Sequence, residues 1–266
     1  MIGYLQELLS RTPPDPVRLP LTNSHGTVLA ILISYLLLVK VVGPKLMESR
    51  KPFDLRGVIK VYNIVQIIYN VILCACSAFL MLGPGNYNFN CIENLPLDHE
   101  WKNFERWTSY AYYFNKYMDL LETFFFVLRK KNQQISFLHV FHHVIMVFLC
   151  YWYLFQYGYG GHGFFMISLN VVVHIMMYAY YYQSSLNPSV RANLWWKKYM
   201  TIIQLVQFGI VLSHSTYILR RGECTALTTT ARAGTIFSTI FIILFLNFYI
   251  RAYVLPKKKV VQKTSK

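Results

Sequence analysis

The chain has 266 residues, 55% of them hydrophobic and 17% aromatic, and a formal net charge of +15. That composition excludes an ordinary soluble domain and points to a polytopic membrane protein. The positive charge sits in short segments between apolar runs, whereas a nucleic-acid surface needs a continuous basic face, so no nucleic-acid partner is expected.

Residues 1–26 are polar and proline-bearing, lack the pattern of a cleavable signal peptide and are expected to form a lumenal N-terminal segment. Seven apolar runs follow, at about 27–43, 58–82, 106–128, 137–156, 163–183, 199–219 and 234–254. Each approaches the roughly 20 residues that cross a hydrocarbon core. They are expected to be helices, because a chain in lipid must satisfy its own backbone hydrogen bonds. The expected fold is therefore an all-α membrane protein with seven transmembrane helices over 27–254 and a basic tail at 255–266.

Lysine and arginine assign the sides. One set of connections carries Lys45, Arg50, Lys51 and Arg56, then Arg129, Lys130 and Lys131, then Arg191, Lys197 and Lys198, with five more lysines in the tail. The opposite set holds only Arg11, Arg18, Lys102, Arg106, Arg220, Arg221 and Arg232. The excess places the first set and the C-terminus in the cytosol and the N-terminus in the lumen. Cys91 and Cys224 then share the lumenal side, where a disulfide persists, and are expected to pair.

Polar residues recur inside the apolar runs. In the fourth, His139, His142 and His143 stand three and four residues apart, on one helical face. The third carries Lys116, Asp119, Glu122 and Thr123; the fifth Asn170, His174 and Tyr178; the sixth Thr201, Gln204 and Gln207. At 1.5 Å per residue these stripes fall in the cytosolic half of the membrane. Ionisable groups at such depth mark a functional site by default, although interhelical hydrogen bonding accounts equally well for any single one of them. The arrangement suggests a polar cavity open to the cytosol, continuing into an apolar tunnel. Arg129, Lys130, Lys131, Lys197 and Lys198 would ring the mouth, where phosphates can bind.

The run KYMDLLETFFFVLRKKNQQISFLHVFHH (116–143) resembles the signature of the fatty-acid elongases, the very-long-chain 3-ketoacyl-CoA synthases of the endoplasmic reticulum. NVVVHIMMYAYYY (170–182), WWKKYMTIIQLVQF (195–208) and GPKLMESRKPF (43–53) are similar to further blocks of that family, in the same order. The RKKNQQISFLHVFHH form is similar to the branch acting on longer or polyunsaturated chains. One departure stands out: the family's usual Lys-x-x-Glu-x-x-Asp-Thr reads Lys116-x-x-Asp119-x-x-Glu122-Thr123 here, so the two acids are exchanged.

The resemblance implies a decarboxylative condensation of a long-chain acyl-CoA with malonyl-CoA to a 3-ketoacyl-CoA, carbon dioxide and CoA. It implies an endoplasmic reticulum location and, as partners, the two substrates, the bilayer, and the reductases and dehydratase of the elongation cycle; a homo-oligomer is left open. No cofactor and no metal is expected. No cysteine lies among the motif residues, and a neutral imidazole can accept an acyl group near pH 7. His142 is the expected acyl acceptor, with His174 as its partner. His139 and His143 would polarise the enolate, and Asp119, Glu122 and Lys116 would fix tautomers and charge. Asn170, Tyr178, Thr201, Gln204 and Gln207 would bind the substrate arm.

Two other classes compete. A metal-dependent desaturase or hydroxylase also uses an H-x-x-H-H box, but of the eight histidines only His139, His142, His143 and His174 can meet on this topology, too few for two irons. A non-enzymatic seven-helix receptor or lipid transporter would not need a histidine trio and a Lys/Asp/Glu stripe at one depth.

Overall fold

The computed structural model describes residues 15–85, 87–222 and 228–255. Among these residues every regular element is helical and no strand occurs. α1 (His25–Leu37) starts at Ser24, whose hydroxyl accepts from Thr27 N, and runs through a π-helical turn, Leu38–Val42, into α2 (Gly43–Glu48). α3 covers Arg56–Leu82, α4 Lys102–Asp119 and α5 Leu121–Leu128. α6 (Phe137–Tyr157), α7 (His162–Leu186), a short α8 (Pro188–Ala192) and α9 (Leu194–Arg221) follow. α10 (Thr228–Tyr249) passes into a second π-helical stretch, Ile250–Val254.

Among the described residues, six helical segments are long and apolar enough to cross a membrane: residues 25–48, 56–82, 137–157, 162–186, 194–221 and 229–254. The remaining expected span falls on α4 and α5. It is too polar to join the six, because Lys102, Glu105, Arg106, Asn115, Lys116 and Asp119 all lie on α4. Every one of those side chains is buried, since α4 packs against α3, α6 and α7. Position explains the composition: a helix surrounded by other helices can carry charge that a lipid-facing one cannot. The break between α4 and α5 contains neither proline nor glycine. Leu120 N bonds to Tyr117 O (3.1 Å) and Thr123 N to Leu120 O (3.2 Å), i→i−3 bonds that tighten the winding.

α3 runs along α7, and α9 along α10, in the two most extensive helix contacts. α1 and α2 pack at α5 and α6 and, with the turn between them, leave Leu29, Ile33, Leu37, Val41 and Leu46 exposed. Such an apolar outer face suits lipid.

The end of the bundle where α4 begins is tied shut by buried charge. Lys102 Nζ lies 2.7 Å from Glu105 Oε2, and Arg106 lies 3.1 Å from Asp15. Glu105 Oε1 also accepts from the Tyr87 hydroxyl (2.5 Å) and from Leu95 N (3.2 Å), while Lys102 Nζ donates to Tyr159 O (3.2 Å). Burial, then the neighbouring carboxylate, pushes the Tyr87 phenol above its usual range, so it stays protonated and donates. Lys102 and Arg106, counted in sequence as loop charges, are thus structural. Gly160, at φ 105°, belongs to the same knot, because a Cβ there would collide with Glu105.

Cys91 is disulfide-bonded, and Cys74, Cys76 and Cys150 are free. Cys224, its expected partner, lies outside the described residues, as do Arg11 and the lysines of the tail.

Candidate active site

The histidine box occupies the first two turns of α6, which starts where the Ser136 hydroxyl accepts from His139 N (3.2 Å). The His139 and His143 ring centroids are 4.3 Å apart, and those of His142 and His143 5.8 Å. The three rings serve different neighbours. His139 Nε2 is 2.9 Å from Thr123 Oγ1, which is itself 2.7 Å from the Tyr35 hydroxyl on α1. His143 Nε2 stands 4.0 Å from Glu122 Oε2, too far for a direct hydrogen bond. His142 turns toward Phe241 and Phe245 of α10, at centroid distances of 5.0 and 6.3 Å, and its Nδ1 is buried with no hydrogen-bond partner.

A second polar cluster is centred on Asp119. Lys116 Nζ donates to Asp119 Oδ2 (3.1 Å) and to Asn170 Oδ1 (2.9 Å), and the Tyr112 hydroxyl also reaches Asn170 Oδ1 (2.9 Å). The other carboxylate oxygen, Oδ1, accepts from the Tyr178 hydroxyl (2.8 Å) and from Gln66 Nε2 (3.2 Å). His174 Nδ1 faces Asp119 Oδ2 across 3.9 Å. The charge is therefore matched by one ammonium and two neutral donors, which is what a buried carboxylate requires.

Gln66 comes from α3, a helix from which no site residue was expected. With Tyr62 and Asn70 it extends the cluster: Gln66 Nε2 donates to Tyr62 Oη (3.0 Å), and Asn115 Nδ2 to Asn70 Oδ1 (3.2 Å). The signal was present in the sequence, because Asn63, Gln66, Asn70 and Ser77 keep helical spacing in an otherwise apolar run and all are buried.

Two cavities meet these residues. A narrow one, of about 160 Å³, is walled by His142, Asn170, Gln207 and Phe241 along part of its length and by Tyr153, Tyr157, Gly160 and Thr230 elsewhere. A wide one, of about 1200 Å³, is lined by Glu122 together with Arg56, Arg129, Lys130, Lys131, Arg191 and Lys197. Other expected site residues point elsewhere. The Thr201 hydroxyl donates to its own helix at Lys197 O, Gln204 approaches Met177 Sδ at 3.8 Å, and Lys198 Nζ stands over the Tyr249 ring.

Glu122, His139 and His143 each offer one ligand atom, all within 4.8 Å of one another. Two imidazoles and a carboxylate suit a single divalent transition metal; a pair of irons would need more ligands.

The family model described as ELO, the GNS1/SUR4 family, matches residues 20–261, nearly the whole chain. The chain belongs to this family. Relatives agree along most of its length. "Very long chain fatty acid elongase F" of Drosophila melanogaster is 47% identical over 247 residues, covering 93% of this chain and 96% of that protein. "Very long chain fatty acid elongase 7" of Rattus norvegicus is 39% identical over 227 residues, covering 84% and 79%. "Very long chain fatty acid elongase 4" of Homo sapiens is 37% identical over 247 residues, covering 92% and 77%. In this ELO protein the histidine box, the acids of α4 and α5 and the polar face of α7 all lie inside the matched segment.

Proposed function

We propose that this ELO protein condenses a long-chain acyl-CoA with malonyl-CoA through an acyl-imidazole on His142. The chain is a fatty-acid elongase, an acyltransferase of the 3-ketoacyl-CoA synthase kind, as its family membership and elongase-named relatives support. Its site reads as follows. The wide cation-lined cavity takes the phosphates of the CoA moiety, and the narrow apolar one takes the acyl tail. A thioester bridging them brings its carbonyl to His142.

His142 nitrogen attacks that carbonyl, the acyl–sulfur bond breaks, and CoA leaves as the thiol with the imidazole proton. Malonyl-CoA then loses carbon dioxide. The enolate carbon attacks the acyl-imidazole carbonyl, the carbon–nitrogen bond breaks, and the departing imidazole takes up one proton from solvent, so that it leaves neutral. The product is the 3-ketoacyl-CoA, two carbons longer. His139 and His143 face the enolate side, with His139 held by Thr123 and Tyr35. His174, opposite Asp119, stabilises oxyanion charge. No cofactor enters this scheme.

On this reading α4 and α5 form a seventh span, the basic connections face the cytosol, and the enzyme sits in the endoplasmic reticulum membrane beside the reductases and dehydratase that complete the cycle. The observation that carries the proposal is His142: an imidazole whose buried Nδ1 has no hydrogen-bond partner, in the wall of an apolar cavity. Purified protein incubated with acyl-CoA alone should gain one acyl group on the peptide containing His142. His142→Ala should lose that adduct and at least 100-fold in condensation rate, with folding retained because the buried Nδ1 makes no hydrogen bond to the rest of the protein. Full turnover in that variant would overturn the assignment.

A further inference from the structure

Ser109 and Thr230 both line the narrow cavity, and both are buried, at 2% and 5% exposure, with hydroxyl oxygens that have no hydrogen-bond partner. Other helix hydroxyls divide: Ser215 and Thr235 are also unpartnered, though neither lines this cavity, and several others bond to their own helix. Ser168, Thr201, Thr216 and Thr239 each donate to the carbonyl four residues back, at 2.7–3.1 Å. Such back-bonding is the default for a hydroxyl with nothing else to bind. A buried hydroxyl that forgoes it is left unsatisfied unless something in the cavity meets it.

The two hydroxyls lie toward the end of the cavity away from His142. Tyr157, in the same wall, follows His142 by fifteen residues of α6, about 22 Å of helix. Thr230 is in the first turn of α10, and Ser109 is two turns into α4 from the Lys102 knot. The Tyr153 hydroxyl, in the same wall, is already engaged: it donates to Gly160 O (2.7 Å) and accepts from Gly163 N (3.0 Å). Ser109 and Thr230 therefore offer two free donors, each also an acceptor, in a mainly apolar wall.

From this we infer that the tail end of the cavity binds an acyl chain bearing a hydrogen-bonding oxygen, a hydroxyl or carbonyl, near its methyl end, with Ser109 and Thr230 as the groups that recognise it. The inference rests on the reading that this cavity holds the acyl tail. It adds a substrate class: chains oxygenated at the far end rather than plain hydrocarbon. An alkyl terminus would leave both hydroxyls unmatched; an oxygen at the same place would satisfy them.

The test uses the full chain in detergent without malonyl-CoA, so that binding is read apart from turnover. Saturated acyl-CoAs of increasing length and their ω-hydroxy counterparts compete for a fluorescent acyl-CoA. At the length whose end reaches Ser109 and Thr230, the ω-hydroxy compound should bind about ten-fold tighter than its plain partner, the worth of one to two hydrogen bonds. Ser109→Ala with Thr230→Val should abolish that preference, and Thr230→Ser alone should keep it. The readout is a ratio of two ligands on one protein, so a smaller folded fraction cancels. Wild-type protein that shows no preference at any length, or a preference that survives the double substitution, overturns the inference. Lack of condensation when malonyl-CoA is added counts against the elongase reading instead, and leaves the binding ratio standing.

Discussion

The Lys116–Asp119 pair permits a quantitative test of how the bundle tolerates charge. Both side chains are about 3% exposed and 3.1 Å apart. Lys116→Met would leave the Asp119 carboxylate with two neutral donors, Tyr178 at 2.8 Å and Gln66 at 3.2 Å. Removing one partner of a buried pair costs about 3–5 kcal/mol, and the two retained donors hold this case near 3 kcal/mol. Asp119→Asn keeps the shape and an acceptor for those donors, but strands the ammonium with Asn170 Oδ1 at 2.9 Å and the Tyr112 ring at 4.6 Å, again at about 3 kcal/mol. The double variant leaves no unpaired charge, so it should be no worse than either single one, giving a coupling energy of about 3 kcal/mol. Reversible unfolding in mixed detergent micelles measures all four proteins. Additivity within about 0.5 kcal/mol would refute the reasoning, because it would mean that water or another group already neutralises each charge.

Two further outcomes follow from the geometry. Tyr35→Phe removes the hydroxyl that lies 2.7 Å from Thr123, and with it the support of the Thr123–His139 contact; kcat should fall about ten-fold with KM nearly unchanged, the loss of one hydrogen bond, and initial rates within two-fold of wild type would show that His139 is held by other means. Proteolysis of unreduced protein followed by mass spectrometry should yield a peptide joined through Cys91 and Cys224, the pairing proposed from topology, with Cys74, Cys76 and Cys150 alkylated; alkylation of Cys91 before reduction contradicts it.

Much of the helix layout was legible in the sequence because apolar length is a strong signal: the expected run at 137–156 is α6, and that at 163–183 falls within α7. The interruptions were less so. The π-helical turn at Leu38–Val42 directly precedes Gly43 and Pro44, and Pro44 has no N–H to donate to the Lys40 carbonyl, whereas the break at Leu120 involves residues of ordinary helix propensity. For the site, the histidine box and the Lys116–Asp119 pair could be read from spacing, because charge inside an apolar run is rare. What spacing could not reveal is which way each ring turns. His139 and His142 are one turn apart on α6, yet one meets Thr123 and the other meets Phe241. Thr201 and Gln204 had the same periodicity as Gln207, and only Gln207 reaches the cavity of His142. Periodicity defines a face; neighbouring helices decide what that face touches.

The distribution of charge around the two cavities bears on the proposal that one ligand occupies both. Inside the bundle each ionised group on α4 has a counterpart: Lys102 with Glu105, Arg106 with Asp15, Lys116 with Asp119. The wide cavity breaks that pattern, because its wall sets Arg56, Arg129, Lys130, Lys131, Arg191 and Lys197 against the single carboxylate of Glu122. Arg56 is met by Asp54 at 2.9 Å, outside that wall, and Lys130 Nζ by Glu48 O at 3.0 Å; neither contact cancels the excess. Cations gathered around a concave space repel one another, and that repulsion is relieved only by an anion of several charges. A neutral lipid would gain nothing there, and a fatty acid would meet one cation of the six. On the proposed reading, a ligand that places phosphates in the wide cavity and hydrocarbon in the narrow one would satisfy both walls, and an acyl-CoA has that charge distribution.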